Sequence, residues 1–271
     1  MTTAAAVGVG RQPRGRLWLV VLQQELRDLW LGGRGLALSL AFGVLLSIVA
    51  YLVATNRGLN FLEHRETVNL TLQVAVAVGT LLTLLAGADA ISGERERGTL
   101  ESLLTAPVPR LELVAGKLVA SLSLWAAAFA ITLPYVWFLG RGVGIVADSI
   151  VTGAAVGTLL ALALASLGLL VSLAAASNRV SLSLGLFLLL ALFTPTQLPA
   201  GAQSGWLGDL LLRSDPITAG EHYVGKIVVD GHGWSEDLSW LLSPAVAAVV
   251  LSAACLVCGS RLLTLRGGRS R

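Results

Sequence analysis

The sequence predicts an all-α polytopic membrane protein. It has six transmembrane helices, preceded by an amphipathic interfacial helix and interrupted after the second span by a short charged helix. Three observations lead there. Of 271 residues, 55% are hydrophobic and only 13% charged, against about a quarter charged in an ordinary soluble domain, and mean hydropathy is +0.78. Stretches free of Asp, Glu, Lys, Arg and His run 35–56, 67–88, 118–140, 149–178, 180–208 and 238–260, each reaching the ~20 residues that cross a hydrocarbon core. None alternates polar and apolar residues over about ten positions, as barrel strands do.

The elements follow in chain order. Residues 1–14 are small and basic and read as a disordered tail. The first 14 residues lack the apolar core of a signal peptide and the first span is too long to be one, so no cleavable signal is expected. Residues 15–34 read as an interfacial helix, with Trp18, Val21, Leu22, Glu25 and Leu29 on one stripe, apolar except for Glu25, and Trp18 and Trp30 suited to the headgroup zone. Gly32-Gly33-Arg34-Gly35 breaks it; the alternative is one helix running on into the first span. Ionisable residues, each costing about 2.5–3.5 kcal/mol at mid-bilayer, bound the spans near 36–55, 68–88, 118–139, 149–176, 180–199 and 243–262. Ala75, Gly79, Thr83 and Gly87 in the second span, and Gly153, Gly157, Ala161 and Ala165 in the fourth, form seams of small residues that permit close helix packing, within the chain or between two copies.

Segment 196–242 is expected on the outer surface. Its prolines and Asp215-Pro216 mark turns, Trp206–Arg213 reads as a short amphipathic piece, and His222, His232 and Trp234 follow in a glycine-rich stretch. Two histidines at that spacing read as surface residues, since a stable metal site wants a third ligand in place; no metal site is expected. Cys255 and Cys258, three apart in the last span, read as small apolar packing residues, without the second ligand pair or βαβ context of a metal or redox motif. Residues 266–271 form a basic tail. No long repeat interrupts 35–265, which reads as one membrane domain.

Orientation follows from Lys and Arg in the short loops. Arg11, Arg14, Arg16, Arg27, Arg34, Arg95, Arg97, Arg110, Lys117, Arg179, Arg261, Arg266, Arg269 and Arg271 fall on one side; Arg57, Arg65, Arg141, Arg213 and Lys226 fall on the other. Both termini are therefore expected in the cytoplasm of a cell whose inner membrane holds the chain. The isoelectric point near 9.2 reflects this asymmetry and attraction to anionic headgroups rather than nucleic-acid binding.

The most informative segment is the charged island 89–117, which no bilayer interior accepts. Glu94, Arg97 and Glu101 lie three and four residues apart and can share a helix face, beside a stripe of Leu100, Leu103 and Leu104. Gly98 offers a bend, Pro107 and Pro109 end the element, and Gly116-Lys117 leads into the third span. Glu94-Arg-Glu-Arg-Gly-Thr-Leu-Glu-Ser-Leu-Leu-Thr-Ala-Pro107, with Arg110 and Gly116-Lys117, resembles the signature loop of ABC type-2 permeases. It is nearest to small bacterial members such as those of nitrous-oxide-reductase maturation and gliding motility. The resemblance covers most of the chain and implies a permease subunit paired with a second one, identical or homologous, each seated on a separate cytoplasmic ABC ATPase subunit. It further implies that the island is a coupling helix. Glu94, Arg95, Glu96, Arg97, Gly98, Thr99 and Glu101 would contact the ATPase, and Leu100, Leu103 and Leu104 would hold the helix to the membrane domain. The helix over 15–31 would lie beside it. The second and fifth spans would line an export path.

The chain carries no G-x-x-x-x-G-K-[ST] phosphate loop, because Leu118 follows Gly116-Lys117 and Leu111 stands where the first glycine belongs. It is not expected to be an enzyme or to hold a cofactor of its own; ATP and Mg would sit on the partner. An ion-coupled carrier needs an ionisable or unwound site at membrane depth and an intramembrane enzyme needs a nucleophile with a base or clustered ligands; the spans offer neither. A membrane anchor that only recruits a soluble partner would carry a similar island. A poorly polar interior suits lipids, hydrophobic drugs or peptides better than ions.

Overall fold

The structure is a computed structural model, and it describes residues 14–55, 64–100, 109–142, 144–195 and 206–262. The tails at 1–13 and 263–271, the island residues Glu101, Leu103, Leu104 and Pro107, and residues 196–205 lie outside the described residues. The helices in order are α1 (Arg14–Trp30), α2 (Arg34–Thr55), α3 (His64–Asp89), α4 (Ser92–Arg97), α5 (Arg110–Leu139), α6 (Val146–Ala174), α7 (Asn178–Phe193), α8 (Trp206–Ser214), α9 (Pro216–Val228) and α10 (Leu242–Leu262), with a 3-10 turn at Leu238–Leu241 before α10.

Among the described residues, five segments are long and apolar enough to cross a membrane: Arg34–Val53, Arg65–Asp89, Arg110–Leu139, Val146–Ala174 and Leu238–Arg261. α7 is the exception among the six expected spans. Its 16 residues reach about 24 Å at 1.5 Å per residue, short of the ~30 Å hydrocarbon core, and it stops at Thr194-Pro195 because proline removes a donor and disfavours helix before it. The third span also departs from expectation. It starts at Arg110, not near 118, with Pro109 at its N-cap and Glu112 in its first turn, where the helix dipole favours an acid. Charge-free stretches mark what a bilayer tolerates, and a helix can begin well before it enters lipid. Gly116 and Lys117, read as a lead-in, are both buried within α5.

The bundle is organised around α6. It packs most extensively on α3, then on α10, and also against α5, α9 and α7. α3, α5 and α6 bury half or more of their apolar windows, whereas α2 and α10 bury fewer than a fifth. Both small-residue seams pack within the chain. A Cβ on Gly87 would lie 2.5 Å from the Ala165 carbonyl oxygen, and one on Gly168 would lie 2.3 Å from that of Leu84, so α3 and α6 meet backbone to backbone. Gly79 and Gly157 make room for the Trp125 indole of α5, whose Nε1 donates to Thr158 Oγ1 at 3.1 Å. Several threonine hydroxyls inside the helices turn back on their own carbonyls: Thr80 on Val76 at 2.7 Å, Thr132 on Ala128 at 2.8 Å. This satisfies them without any partner from the next helix.

α1 ends at a turn through Leu31–Gly33, in which Gly33 has φ +80°, so it is separate from the first span. It lies chiefly along α5, and Trp30 Nε1 donates to Ser123 Oγ at 3.0 Å. Trp18, Val21, Leu22, Glu25, Leu29 and Trp30 are half-buried on its inner stripe, while Leu19 and Val20 stay exposed.

The region after α7 contains a helix that the sequence reading treated as a turn and a glycine-rich surface. Asp215 caps α9, accepting from Thr218 N at 2.7 Å and Thr218 Oγ1 at 2.6 Å, with Pro216 at the first helical position. Ile217, Gly220, Tyr223, Val224, Ile227 and Val228 form its buried face, and Gly220 seats it against Val156 and Leu160 of α6. An Asp followed by Pro is a helix start as well as a turn signal; the apolar period beyond it decides between them.

Candidate functional site

At the end of the bundle where α3 meets α4, a polar junction gathers side chains from α1 through α7. Its geometry starts with the sharp turn at Ala90-Ile91. α4 has no side-chain cap of its own at Ile91; instead the fully buried Ser172 of α6 accepts from Ile91 N at 3.1 Å and Ser92 N at 2.8 Å. Ser92 Oγ lies 2.6 Å from the Ala88 carbonyl and 3.0 Å from Asn178 Oδ1, and Ser181 Oγ donates to the same Ala88 carbonyl at 2.7 Å. The Ala88 carbonyl near the C-terminus of α3 is thus taken up by both α4 and α7.

Two ion clusters flank this turn. Asp89 Oδ2 lies 2.6 Å from Arg34 Nη2 and 3.8 Å from Arg97 Nη2, and Asn178 Nδ2 donates to its Oδ1 at 2.7 Å. Gly93 leaves space for this carboxylate, since a Cβ there would fall 2.4 Å from Asp89 Oδ1. The second cluster centres on Lys117, whose side chain is 1% exposed. Its Nζ donates to Glu25 Oε1 of α1 at 2.8 Å and to Glu94 Oε1 of α4 at 2.5 Å. Burial pushes the Glu25 carboxyl above its usual value, and the Lys117 charge only partly opposes this. A cavity of about 770 Å³ opens beside both clusters, with Leu38, Leu85, Ala86, Ala120 and Leu182 as apolar walls and Glu25, Arg34, Asp89, Arg97 and Lys117 as charged lining.

The predicted island residues divide between inside and outside. Glu94 faces inward onto Lys117, and Arg95 donates through Nη1 to the Ala175 carbonyl at the end of α6. Glu96, Arg97, Gly98 and Thr99 are exposed. α4 stops at Arg97 because Gly98 adopts φ +73° and Thr99 N bonds back to the Glu94 carbonyl at 3.0 Å, a glycine stop of the usual left-handed kind. The four-residue step from Arg97 to Glu101 therefore does not run along one continuous helix. Leu100 packs against the cluster of Ile91, Leu113, Val114, Leu118 and Leu169. Sequence reasoning missed Glu25, Asp89, Asn178 and Ser172 as parts of one site. The single polar residue in the apolar stripe of α1 was the available signal for Glu25.

The opposite end carries a smaller polar group. Lys226 Nζ lies 3.0 Å and His232 Nδ1 2.8 Å from Asp237, whose carboxyl these contacts, His232 first, hold below its usual range. Trp234 Nε1 donates to Asp148 Oδ1 at 3.1 Å, and the His222 ring lies 4.3 Å from that of Trp240. Among the described residues no group of three His, Cys, Asp or Glu could hold a metal ion. Glu221 lines a cavity of about 370 Å³ there, and burial, reinforced by repulsion from Asp215, pushes its carboxyl from 4.5 up to about 7. The folded chain then keeps a proton that the unfolded chain releases near 4.5, so stability falls as pH rises from about 4.5 to about 7 and levels off above. Glu221→Gln is expected to flatten this slope; thermal melts across that range check it, and an unchanged slope in the variant refutes it.

The sequence pattern of the family described as ABC-2 family transporter protein matches residues 19–258. The chain belongs to that family. The match takes in both the polar junction and α9, so each is part of this chain's ABC-2 transporter fold. Among individual relatives, the chain is 40% identical over 99 residues to a probable ABC transporter permease protein NosY of Stutzerimonas stutzeri, covering 36% of this chain and 34% of that protein. It is 39% identical over 97 residues to the Pseudomonas aeruginosa protein of the same name, covering 35% and 34%. The matched part thus spans about a third of the length of these curated relatives.

Proposed function

We propose that this ABC-2 protein is the membrane permease subunit of an exporter, and that the tip Glu96–Thr99 receives the push of a separate ATPase. The observation that carries the reading is the contrast between the exposed tip and its rigid base. Glu96, Arg97, Gly98 and Thr99 are exposed, while Ser172, Lys117 and Asn178 fix the residues just before them to three other helices. A loop that merely connects two spans has no need of such a seat. A force on the tip reaches α1, α3, α5, α6 and α7 through buried hydrogen bonds and ion pairs, which transmit displacement because a packed interior does not yield gradually.

In this reading the tip lies on the cytoplasmic face of the inner membrane, as do both termini. Two ATPase subunits hold the ATP and Mg, a second permease completes the assembly, and α3 and α7 line the path between the copies. The long apolar stretches of the spans, with few polar groups between them, favour a lipid, drug or peptide cargo over an ion. The test is purification of the tagged chain from its own membranes, followed by identification of companion chains and ATPase assay of the complex. Glu96→Ala with Arg97→Ala is expected to lower cargo-stimulated ATP hydrolysis about tenfold, the size of effect that loss of a little over 1 kcal/mol of coupling produces, with insertion and yield unchanged. An unchanged stimulated rate, or the absence of any companion ATPase, rejects the reading.

A further inference from the structure

The Gly116-Lys117 pair stands out in the sequence, and it lies apart from the exposed tip. Lys117 is the largest charged side chain among the fully buried residues, and its amine bridges two elements that both lie outside the candidate spans, α1 through Glu25 and α4 through Glu94. Among the described residues it supplies the hydrogen bond that the Glu94 carboxylate makes, through Oε1, while Glu94 Oε2 is buried without one. Gly116 serves the same contact sterically: a Cβ there would come within 3.0 Å of Val21 Cγ1, so the missing side chain lets α1 lie close against α5. A buried ion pair contributes little net stability compared with apolar side chains of similar volume. What it adds is direction, because an amine sharing its protons with two carboxylates fixes where both must sit.

We propose that Lys117 is a positioning residue that pins α1 and α4 to α5, so that the interfacial helix and the charged tip move as one body. The proposal rests on the coupling reading above and adds a second moving part to it. Displacement of residues 96–99 draws Glu94 with it; Lys117 follows Glu94, and Glu25 carries α1 along. Without the pin, the tip would move while α1 stayed behind.

The experiment uses the full chain in lipid nanodiscs with its companion ATPase and reads amide hydrogen exchange with and without ATP plus vanadate. In the unaltered chain, nucleotide is expected to change exchange in both 92–99 and 18–30. In Lys117→Met the change at 92–99 should remain and the change at 18–30 should vanish. A general loosening of structure would instead raise exchange in both segments whatever the nucleotide. Should Lys117→Met fail to fold, Glu94→Gln, which leaves the Lys117–Glu25 pair intact, carries the same test. A nucleotide response that persists at 18–30 in these variants overturns the pin. The coupling reading fails separately, if no ATPase accompanies the chain; then the pin is judged on the permease alone. In that case Lys117→Met, which removes both contacts, should speed exchange in 18–30 and in 92–97 by about fivefold through local opening with the middle of α6 unchanged, and an α1 unaffected by it overturns the pin.

Discussion

Gly168→Leu is expected to prevent the bundle from assembling. The obstacle is main chain: a Cβ at this position would meet the Leu84 carbonyl oxygen at 2.3 Å and Ala88 N at 2.9 Å. No rotamer change relieves such a contact, so α3 and α6 must separate along the most extensive helix interface among the described residues. Overpacking a core by a few methylenes commonly costs about 1–3 kcal/mol. Here the expected loss exceeds that range, because separating the pair also exposes the facing contact of Gly87 with Ala165. In a membrane no hydrophobic drive between helices compensates, and association depends on close packing itself. Detergent-solubilised variant should elute as aggregate and melt well below the unaltered protein. Gly43→Ala is the control, because a Cβ there meets only Ile131 Cγ2 at 3.8 Å; it should behave as the unaltered chain. A monodisperse, normally stable Gly168→Leu would refute the backbone-to-backbone crossing.

Ser172→Ala is expected to release the charged turn while leaving the spans assembled. The substitution removes the acceptor for both Ile91 N and Ser92 N in a site that is fully buried. Each buried donor left unpaired costs about 1–3 kcal/mol, more than a six-residue helix without a side-chain cap can offset locally. Amide exchange at 91–95 should rise by orders of magnitude, with exchange in the middle of α6 unchanged, and cargo-stimulated ATP hydrolysis should fall with it. Retained protection at 91–95 would mean that α4 has another source of order.

The architecture was largely readable in the chain because a bilayer imposes a simple rule. Charge-free stretches locate the apolar helices, and the small-residue seams locate where two of them touch. The errors share one cause. That rule speaks of the lipid boundary and is silent where protein covers the backbone, so it misjudged the start of α5 at Arg110 and gave α7 more length than Pro195 allows. It also passed over α9, whose Asp215 cap and buried face serve protein packing. The site was legible only in part. Local spacing marked Glu94–Thr99, but it could not show that Glu94 turns inward, because its partner Lys117 is on another helix and their companion Glu25 on a third. Side chains brought together by tertiary structure leave no period in the sequence.

The hydroxyl that starts α4 comes from a residue 80 positions later. A ribosome therefore delivers the whole of α5 and nearly all of α6 before the turn at 91–92 can find its acceptor. Under the coupling proposed above, the docking surface stays unfinished during synthesis, and a truncated or half-inserted chain presents nothing well shaped for an ATPase to grip. Biogenesis thereby gains an order of events from a single serine: spans first, the charged turn afterwards.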